Sequence, residues 1–163
     1  GLVTVTGGKW TTYRAMAEDV LEQCMSAQLL APRPAGATQI LRLVGAPKER
    51  EVSMAEPPGA HLYGTEAALL AALPGANRWL WRDGIGGLSE AMVRFAARHE
   101  MARTVEDVLA RRSRLLFLHA RQAQDVAAAV AAMLKEETGR DDEALQLVAF
   151  SALAQQYDFV SGA

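Results

Sequence analysis

Apolar residues recur three and four positions apart along most of the chain after residue 60, which is the spacing of amphipathic helices. The pattern predicts a short helix over residues 67–73, helices that follow Ser89 and Thr104, a helix that ends at Gly139, and a last helix over residues 145–153. Short connections between such helices favour antiparallel neighbours, so a bundle of about three to five helices is expected.

The ends of these helices carry recognisable signals. Thr65 and Ser89 are placed to cap helix N-termini. Thr104, with Asp107 three positions later, has the spacing of a capping box, so the chain is expected to bend just before it. The Pro74–Gly75 pair stops the first of these helices. The last helix is expected to bury a face that carries Leu145, Val148, Ala149, Ala152 and Leu153, widened by Leu147 and Phe150.

The first thirty residues carry a different pattern. Residues 2–6 alternate apolar and polar side chains, several of them β-branched, which predicts a half-buried strand. Gly7 and Gly8, here called the glycine turn, then interrupt the chain, and an amphipathic stripe follows on a predicted helix. The stripe consists of Tyr13, Met16, Ala17, Val20, Leu21 and Cys24. This segment is therefore predicted to be a strand, a turn and a helix.

Two other stretches are predicted to be connections. Residues 31–59 have the proline and glycine density of a linker, with a short strand or extended connector at residues 38–45. Trp79 and Trp81 stand in a glycine-containing stretch that predicts a loop, where the two rings cover the core; a ligand contact is the alternative. The predicted fold class is mainly α, a helical C-terminal bundle preceded by a strand–turn–helix unit of an α/β domain.

Composition narrows the classes of protein. The 163 residues include 17 Lys and Arg against 19 Asp and Glu, a net charge of −2, so no nucleic-acid partner is expected. No apolar run approaches the roughly 20 residues that span a bilayer. Cys24 is the single cysteine and is expected to be a buried, inert thiol in a reducing compartment, by default the cytoplasm. His119 has no neighbouring ligands in the sequence, so no metal site is expected.

The glycine turn is the most distinctive candidate for chemistry. Backbone N–H groups at a helix start are unpaired and attract anions or carbonyl oxygens, and glycines let such a ligand approach closely. Lys9 adds positive charge, while Thr11 and Thr12 add hydroxyls that can cap the helix or bind a ligand. A Walker loop is excluded because Val3 and Trp10 stand where it needs glycine and Ser or Thr. An ordinary strand-to-helix turn with a surface lysine remains the alternative.

The most charged stretch spans residues 98–114. Its side chains alternate in sign at helical spacing, which predicts ion pairs of Asp107 with Arg103 and with Arg111. Exposed pairs contribute only about 0.2–1 kcal/mol each, so stability alone does not require the cluster. The preferred hypothesis is a network that sets a turn or docks the helical domain. The alternative is that Arg111 and Arg112 contact an anionic ligand or lipid headgroups.

Two separate runs resemble one family. Residues 7–14 (Gly-Gly-Lys-Trp-Thr-Thr-Tyr-Arg), followed by Met-Ala-Glu at 16–18, are similar to the last strand–turn–helix of the flavin domain in FAD-dependent glycerol-3-phosphate dehydrogenases and related oxidases. Residues 93–112 resemble the helical C-terminal domain of the same family. The resemblance implies three parts, the C-terminal edge of an FAD-binding domain at residues 1–30, a linker at 31–59 and the helical C-terminal domain at 60–163.

The resemblance also implies an activity. The full-length flavoprotein would oxidise sn-glycerol 3-phosphate to dihydroxyacetone phosphate, with hydride transfer to FAD and electrons passed to a membrane quinone, or to oxygen in the oxidases. Gly7, Gly8, Thr11 and Thr12 would bind FAD, and Lys9 would bind the substrate. No catalytic residue is assigned to this stretch, because the proton-abstracting base would lie upstream of it.

The implied partners follow from the same resemblance. They are an upstream FAD-binding domain of the same chain, glycerol 3-phosphate, a quinone, and a peripheral contact on the cytoplasmic face of the inner membrane. The stretch by itself is expected to be inactive, because most contacts to the cofactor are missing from it. Two alternatives stay open, a free-standing helical protein-interaction module and a piece of a different flavin-dependent oxidase.

Overall fold

The computed structural model of the protein describes residues 1–46, 59–84, 86–141 and 145–158. Most of these residues are helical, so the predicted mainly α fold class is confirmed. The chain divides into two compact units, Gly1–Leu43 and Val44–Ala163. Most of the predicted linker, residues 47–58, lies outside the described residues.

The first unit is built around one helix. A 3₁₀ turn at Trp10–Thr12 leads into α1 (Tyr13–Ser26), which confirms the predicted helix after the glycine turn. No described residue of this unit is buried, and Cys24 is only partly covered. The expectation of a buried thiol at Cys24 was therefore wrong. The cause is the small size of the unit, because so few residues cannot enclose a core.

Neither strand predicted in the first unit forms. Residues 2–6 and 38–45 carry no strand, and a 3₁₀ turn occupies Ala37–Gln39 after Gly36 at φ 83°. A strand needs a neighbouring strand to take its backbone hydrogen bonds. Among the described residues the sheet has only two strands, and neither belongs to this unit. The strand predicted at residues 2–6 was therefore wrong for want of a pairing partner, and of the two alternatives for residues 38–45 the short strand is wrong.

The second unit opens with a kinked helical segment. A 3₁₀ stretch, Ala60–Glu66, bends at Gly64 and continues as α2 (Ala67–Ala72). Thr65 lies inside the 3₁₀ stretch and does not cap α2, so the predicted cap is wrong. The predicted stop at the Pro74–Gly75 pair is confirmed.

A β-hairpin stands where a loop was predicted. Strands β1 (Trp79–Asp83) and β2 (Gly86–Ser89) pair antiparallel, with an irregularity between Trp79 and Trp81. Leu88 is buried on one face of the hairpin and Trp81 packs against the same core, as predicted for that ring. Trp79 is 39% exposed, and the guanidinium of Arg82 lies 4.9 Å from its ring centre.

The remaining helices form the bundle. They are α3 (Glu90–His99), a π-helix (Asp107–Arg112), α4 (Leu115–Leu118), α5 (Ala120–Thr138) and α6 (Leu147–Tyr157). Helix α5 packs against both α3 and α6. The largest fully buried side chains are Phe95 of α3 and Phe150 of α6, followed by leucines that include Leu109 of the π-helix and Leu134 of α5. Burial of that size stabilises a core by about 1.5–3 kcal/mol per side chain.

Three helix ends agree with the sequence signals. The Ser89 hydroxyl accepts a hydrogen bond from the Met92 N–H at 3.3 Å and caps α3. Thr104 and Asp107 bond each other reciprocally, at 3.0 and 3.1 Å, as a capping box does. Helix α5 ends at Gly139, whose φ of 67° is the left-handed value that favours glycine there.

The buried face of the last helix differs from the prediction. Phe150 is buried as predicted, but Ala154 is buried as well and Val148, expected inside, is 84% exposed. Leu145 is buried but precedes the helix, where its carbonyl accepts the Val105 N–H at 3.1 Å. Apolar residues occupy most faces of this helix, so periodicity alone did not identify the buried face.

Candidate functional site

The glycine turn is open to approach from one side. Gly7 has φ 126°, in the region that L side chains rarely adopt, and a side chain added there would meet Met16 at 3.0 Å. At Gly8 no heavy atom lies within 4 Å of the position that a Cβ would occupy. The missing side chain at Gly8 therefore leaves backbone exposed for a ligand at the start of the helical segment.

Lys9 is the cation of this turn. It precedes the 3₁₀ turn with extended backbone angles, φ −77° and ψ 116°, and its side chain is exposed. No acidic residue in the described part of the chain forms an ion pair with it. Its positive charge is thus available to an anion.

Neither Thr11 nor Thr12 caps a helix with its side chain. The Thr12 hydroxyl donates to the Lys9 carbonyl at 3.1 Å, and the Thr12 N–H donates to the same oxygen at 3.0 Å. Neither the 3₁₀ turn nor α1 has a side-chain cap at its N-terminus. The Thr12 hydroxyl therefore closes the turn, while Thr11 is exposed.

An open, mainly apolar groove of about 570 Å³ runs from the glycine turn along α1. Gly7, Gly8 and Lys9 line it together with the apolar stripe of the helix, and Trp10 packs against Tyr13 with ring centres 5.2 Å apart. Thr11 and Thr12 are absent from the lining. The arrangement suits a flat apolar ring system with an anionic group near Lys9.

The apolar stripe that lines this groove is only partly covered. Tyr13 is 58% and Leu21 is 52% exposed, and no residue of α1 is buried. Exposed apolar patches of this kind mark interaction surfaces.

The second candidate cluster centres on Asp107. Its carboxylate accepts the N–H groups of Arg103 at 2.9 Å and Thr104 at 3.0 Å, and the Arg111 guanidinium lies 3.0 Å away. Burial alone would raise the pKa of this carboxyl, but these hydrogen bonds outweigh it and the pKa lies below its ordinary value.

One of the two predicted ion pairs is absent. The Asp107–Arg111 pair is confirmed, but the Arg103 guanidinium donates to the carbonyls of Ala97 and Ala102, at 2.9 and 2.8 Å. Arg103 therefore satisfies backbone acceptors around the bend, and only its backbone N–H reaches Asp107.

Arg111 and Arg112 lie beside carboxylates. Arg111 also contacts Glu106 at 2.8 Å, and Arg112 donates to the backbone carbonyl of Glu100. Both arginines line an open cleft of about 450 Å³ with Tyr63, Glu66 and Glu100. Burial raises the pKa of the Glu100 carboxyl and of the Tyr63 hydroxyl. Positive and negative groups balance in this cleft, which disfavours an anion-binding role for the two arginines.

The sequence patterns did not reveal a buried ion network between α3 and α5. Arg94, 8% exposed, contacts Glu137 at 2.5 Å and Glu136 at 2.8 Å, and Arg98 contacts Glu137 at 2.6 Å. Hydrogen bonds from Arg98 and then Arg94 outweigh burial and hold the pKa of Glu137 below its ordinary value. An arginine within an apolar helix face was the available signal, but its partners lie some forty positions away in sequence.

Neither a cluster of metal ligands nor a membrane-spanning helix occurs in the described part of the chain. In residues 1–46, 59–84, 86–141 and 145–158, no three His, Cys, Asp or Glu side chains come together as metal ligands would. None of the helices in this part of the chain has the length and apolarity needed to cross a bilayer.

Comparison with known proteins confirms the resemblance of the two sequence runs. A mitochondrial glycerol-3-phosphate dehydrogenase of Arabidopsis thaliana is 33% identical over 90% of this chain and 28% of its own length. The mitochondrial glycerol-3-phosphate dehydrogenase of Schizosaccharomyces pombe is 29% identical over 99% of this chain and 30% of its own length. The human mitochondrial glycerol-3-phosphate dehydrogenase is 29% identical over 87% of this chain and 22% of its own length. The chain thus spans less than a third of these relatives.

No solved structure matches the chain. Residues 6–145 match the family model of the C-terminal domain of alpha-glycerophosphate oxidase, which covers both the glycine turn and most of the bundle. The chain therefore belongs to the family of the C-terminal domain of alpha-glycerophosphate oxidase.

Proposed function

We propose that this chain is the C-terminal part of an FAD-dependent enzyme that oxidises sn-glycerol 3-phosphate to dihydroxyacetone phosphate. The observation that carries the proposal is the match to proteins named glycerol-3-phosphate dehydrogenase over 90% and 99% of this chain. These names favour this substrate over those of other flavin-dependent oxidases, and a free-standing interaction module has no comparable support.

The proposed enzyme has three parts. Residues 1–30 complete an FAD-binding domain whose larger portion belongs to the upstream part of the same protein, residues 31–59 are a linker, and residues 60–163 form the helical domain. The division between the two compact units, after residue 43, falls inside the proposed linker.

The glycine turn fits a flavin cofactor. Gly8 leaves open space where a side chain would stand, and the apolar groove beside it accepts a planar ring system. Gly7 and Gly8 would hold FAD through backbone N–H groups, and the positive end of the helix favours negative charge on the cofactor. When bound, FAD supplies the acceptor for the two electrons of the substrate alcohol.

Two threonines complete the proposed cofactor contacts. The Thr12 hydroxyl donates to the Lys9 carbonyl, so only its oxygen lone pairs remain for a cofactor N–H or water. Thr11 is exposed and can donate or accept. Neither lines the groove, but they lie in sequence between Trp10 and Tyr13, which do, so their proposed role is at its edge.

Lys9 is the proposed substrate ligand. Its ammonium group has no acidic partner among the described residues and lines the groove beside the glycine turn. A point charge with three donors suits the phosphate group of glycerol 3-phosphate. The residue therefore binds and orients the substrate, and it is not proposed to move the proton.

Substitution of Lys9 in the full-length protein tests the site. Lys9→Met should raise the KM for glycerol 3-phosphate about 10- to 100-fold, the loss expected for a hydrogen bond to a charged group of about 1.5–3 kcal/mol. Flavin content, measured by absorbance after gel filtration, should stay at the wild-type level. Lys135→Met, which removes the charge of a lysine on α5, is the matched control.

Kinetics equal to wild type in Lys9→Met would remove Lys9 from the site. A full-length protein without flavin and without glycerol-3-phosphate-dependent dye reduction would overturn the proposed activity itself. The 163-residue chain mixed with FAD should show no turnover, and activity from that mixture would contradict the three-part organisation.

The proposed electron acceptor is a quinone. Quinones reside in the membrane, so the enzyme would act as a peripheral protein, proposed here on the cytoplasmic face of the inner membrane. Anaerobic turnover with a short-chain quinone, compared with peroxide formation in air, distinguishes the two acceptors. Release of the enzyme from membranes by salt or carbonate washing tests the peripheral attachment.

A further inference from the structure

A small cavity lies beneath the hairpin, and the proposed flavin chemistry does not use it. Its volume is about 200 Å³, and the hairpin and the segment from Ser113 to His119 enclose it. Apolar groups form most of its wall, with Leu88 and Leu115 buried in the core and Trp81 packed beside them. Leu118, 57% exposed, stands at its rim.

Two polar side chains converge at one end of this cavity. The Asp83 carboxylate comes from β1 and the His119 imidazole from the junction of α4 and α5. His119 Nε2 and Asp83 Oδ2 are 3.8 Å apart, too far for a direct hydrogen bond. The Trp81 ring packs against the imidazole at 5.2 Å between ring centres and limits its rotation.

The 3.8 Å distance between His119 Nε2 and Asp83 Oδ2 can be bridged by one hydrogen-bonding oxygen atom. An oxygen atom placed between the two groups can lie about 2.8 Å from each, which is the ordinary hydrogen-bond length. The carboxylate only accepts, and a neighbouring carboxylate favours the imidazole tautomer in which Nε2 carries the proton and donates. A hydroxyl group satisfies both, because it donates once and accepts once.

Among the described residues of the wall, the one other polar side chain is that of Ser113, which is already engaged. The Ser113 hydroxyl donates to the Val108 carbonyl at 2.9 Å, so its proton is not available to a ligand. The recognition therefore depends on Asp83 and His119, which are 71% and 41% exposed at the mouth.

The volume selects the size of the ligand. An apolar cavity of about 150 Å³ holds one benzene ring, so about 200 Å³ accommodates one substituted ring and excludes two. The indole of Trp81 offers a face or edge for that ring.

We propose that this cavity binds a single aromatic ring bearing a hydroxyl group. The ring lies against Trp81 and the leucines, and the hydroxyl bridges Asp83 and His119. No reaction is assigned to the bound molecule, and the site is independent of the flavin, so its test does not depend on the proposed function.

Fluorine NMR on the full chain tests the proposal with two probes, 4-fluorophenol and fluorobenzene. The phenol should bind about tenfold or more tightly, the ratio expected for a hydrogen bond to a charged group. Asp83→Asn and His119→Gln should each reduce this ratio to about threefold or less. Asp125→Asn, at an exposed position of α5, is the matched control and should leave it unchanged.

A blocking variant separates this cavity from other apolar surfaces. Leu118→Trp fills the mouth from an exposed rim position, and circular dichroism verifies its fold. It should weaken the binding of 4-fluorophenol about tenfold or more, because the new side chain occupies the space of the ring. Equal affinity for the two probes in the wild type, or unchanged phenol binding in Leu118→Trp, would overturn the proposal.

Discussion

At the scale of single residues, Asp107 fixes the bend between two helices. Its carboxylate holds the N–H groups of Arg103 and Thr104 and the guanidinium of Arg111. Met101, just before the bend, has φ 59°, a left-handed value that costs a non-glycine residue about 1–3 kcal/mol. The hydrogen bonds of one carboxylate thus offset the strain of the bend beside it.

Acid should weaken this contribution. The folded-state pKa of Asp107 is depressed, so its stabilisation is full above the unfolded pKa and is lost as the pH falls through the folded one. Asp107→Asn, which keeps a capping oxygen, should be less stable than wild type at pH 7. The difference should narrow progressively below about pH 4, the ordinary range of this carboxyl.

Urea unfolding of both proteins from pH 7 to pH 2.5 measures this narrowing. A difference that stays constant over the whole range would show that the charge of Asp107 does not stabilise the bend.

Two hydroxyl residues provide a matched comparison of caps. Ser89→Ala should lower the free energy of unfolding by about 1–2 kcal/mol, because a buried Met92 N–H loses its acceptor. Thr65→Ala should cost less than about 0.5 kcal/mol, since Thr65 is exposed and caps no helix. Denaturant titrations of both variants test whether Ser89 caps a helix and Thr65 does not. Equal costs would contradict the assigned helix start at Ala67.

At the scale of elements, Arg94, Arg98 and Glu137 join α3 to α5. The Glu137 side chain is 7% exposed and receives both arginines, while Glu136, 64% exposed, contacts Arg94 from the solvent side. Breaking a buried pair leaves a charge without its partner, which costs far more than losing an exposed pair. The two neighbouring glutamates should therefore differ sharply in importance.

Glu137→Gln should destabilise the protein by about 3–5 kcal/mol, and Glu136→Gln by less than about 1 kcal/mol. The substitution keeps the size of each side chain, so the difference reports charge rather than packing. Thermal unfolding at low and high salt measures both variants. If Glu137→Gln costs no more than Glu136→Gln, the network does not hold the two helices together.

The elements that sequence patterns identified best are those whose signals are local. Helices α1, α3 and α5 have clear apolar stripes, and the caps at Ser89 and Thr104 need only neighbouring residues. Strand pairing is not local, so residues 2–6 were assigned a strand that has no partner. The hairpin was missed because its two strands are short and its glycines indicated a loop.

The candidate sites divide in the same way. Gly7, Gly8 and Lys9 are adjacent in sequence and share one groove, as the motif implied. The partners of Arg94, and the approach of Asp83 to His119, join positions about forty residues apart. Such contacts follow from how the helices and the hairpin pack, and a periodic pattern in the sequence does not contain that information.

At the scale of the whole molecule, the two units differ in what stabilises them. Every buried residue among those described belongs to residues 44–163, and none to residues 1–43. Hydrophobic burial is the dominant favourable contribution to folding, so the first unit has little of its own to resist local opening.

Limited proteolysis should expose this difference. Trypsin should cleave after Lys9 and Arg42 in the first unit well before it cleaves after Arg94 or Arg98 in α3. Mass spectrometry of early digestion products of the full chain identifies the order. Cleavage within α3 at a rate similar to that after Arg42 would contradict the unequal stability of the two units.

The π-helix at Asp107–Arg112 has an evolutionary consequence. Its hydrogen bonds span five residues, as the 2.9 Å bond from the Ser113 N–H to the Val108 carbonyl illustrates, so each turn holds one residue more than an α-turn. A homologous chain can therefore lose a single residue here and keep its helix. The loss would rotate the position of Arg112 by about 100° away from the Glu100 carbonyl. Length variation among relatives at this segment should accordingly coincide with loss of that arginine.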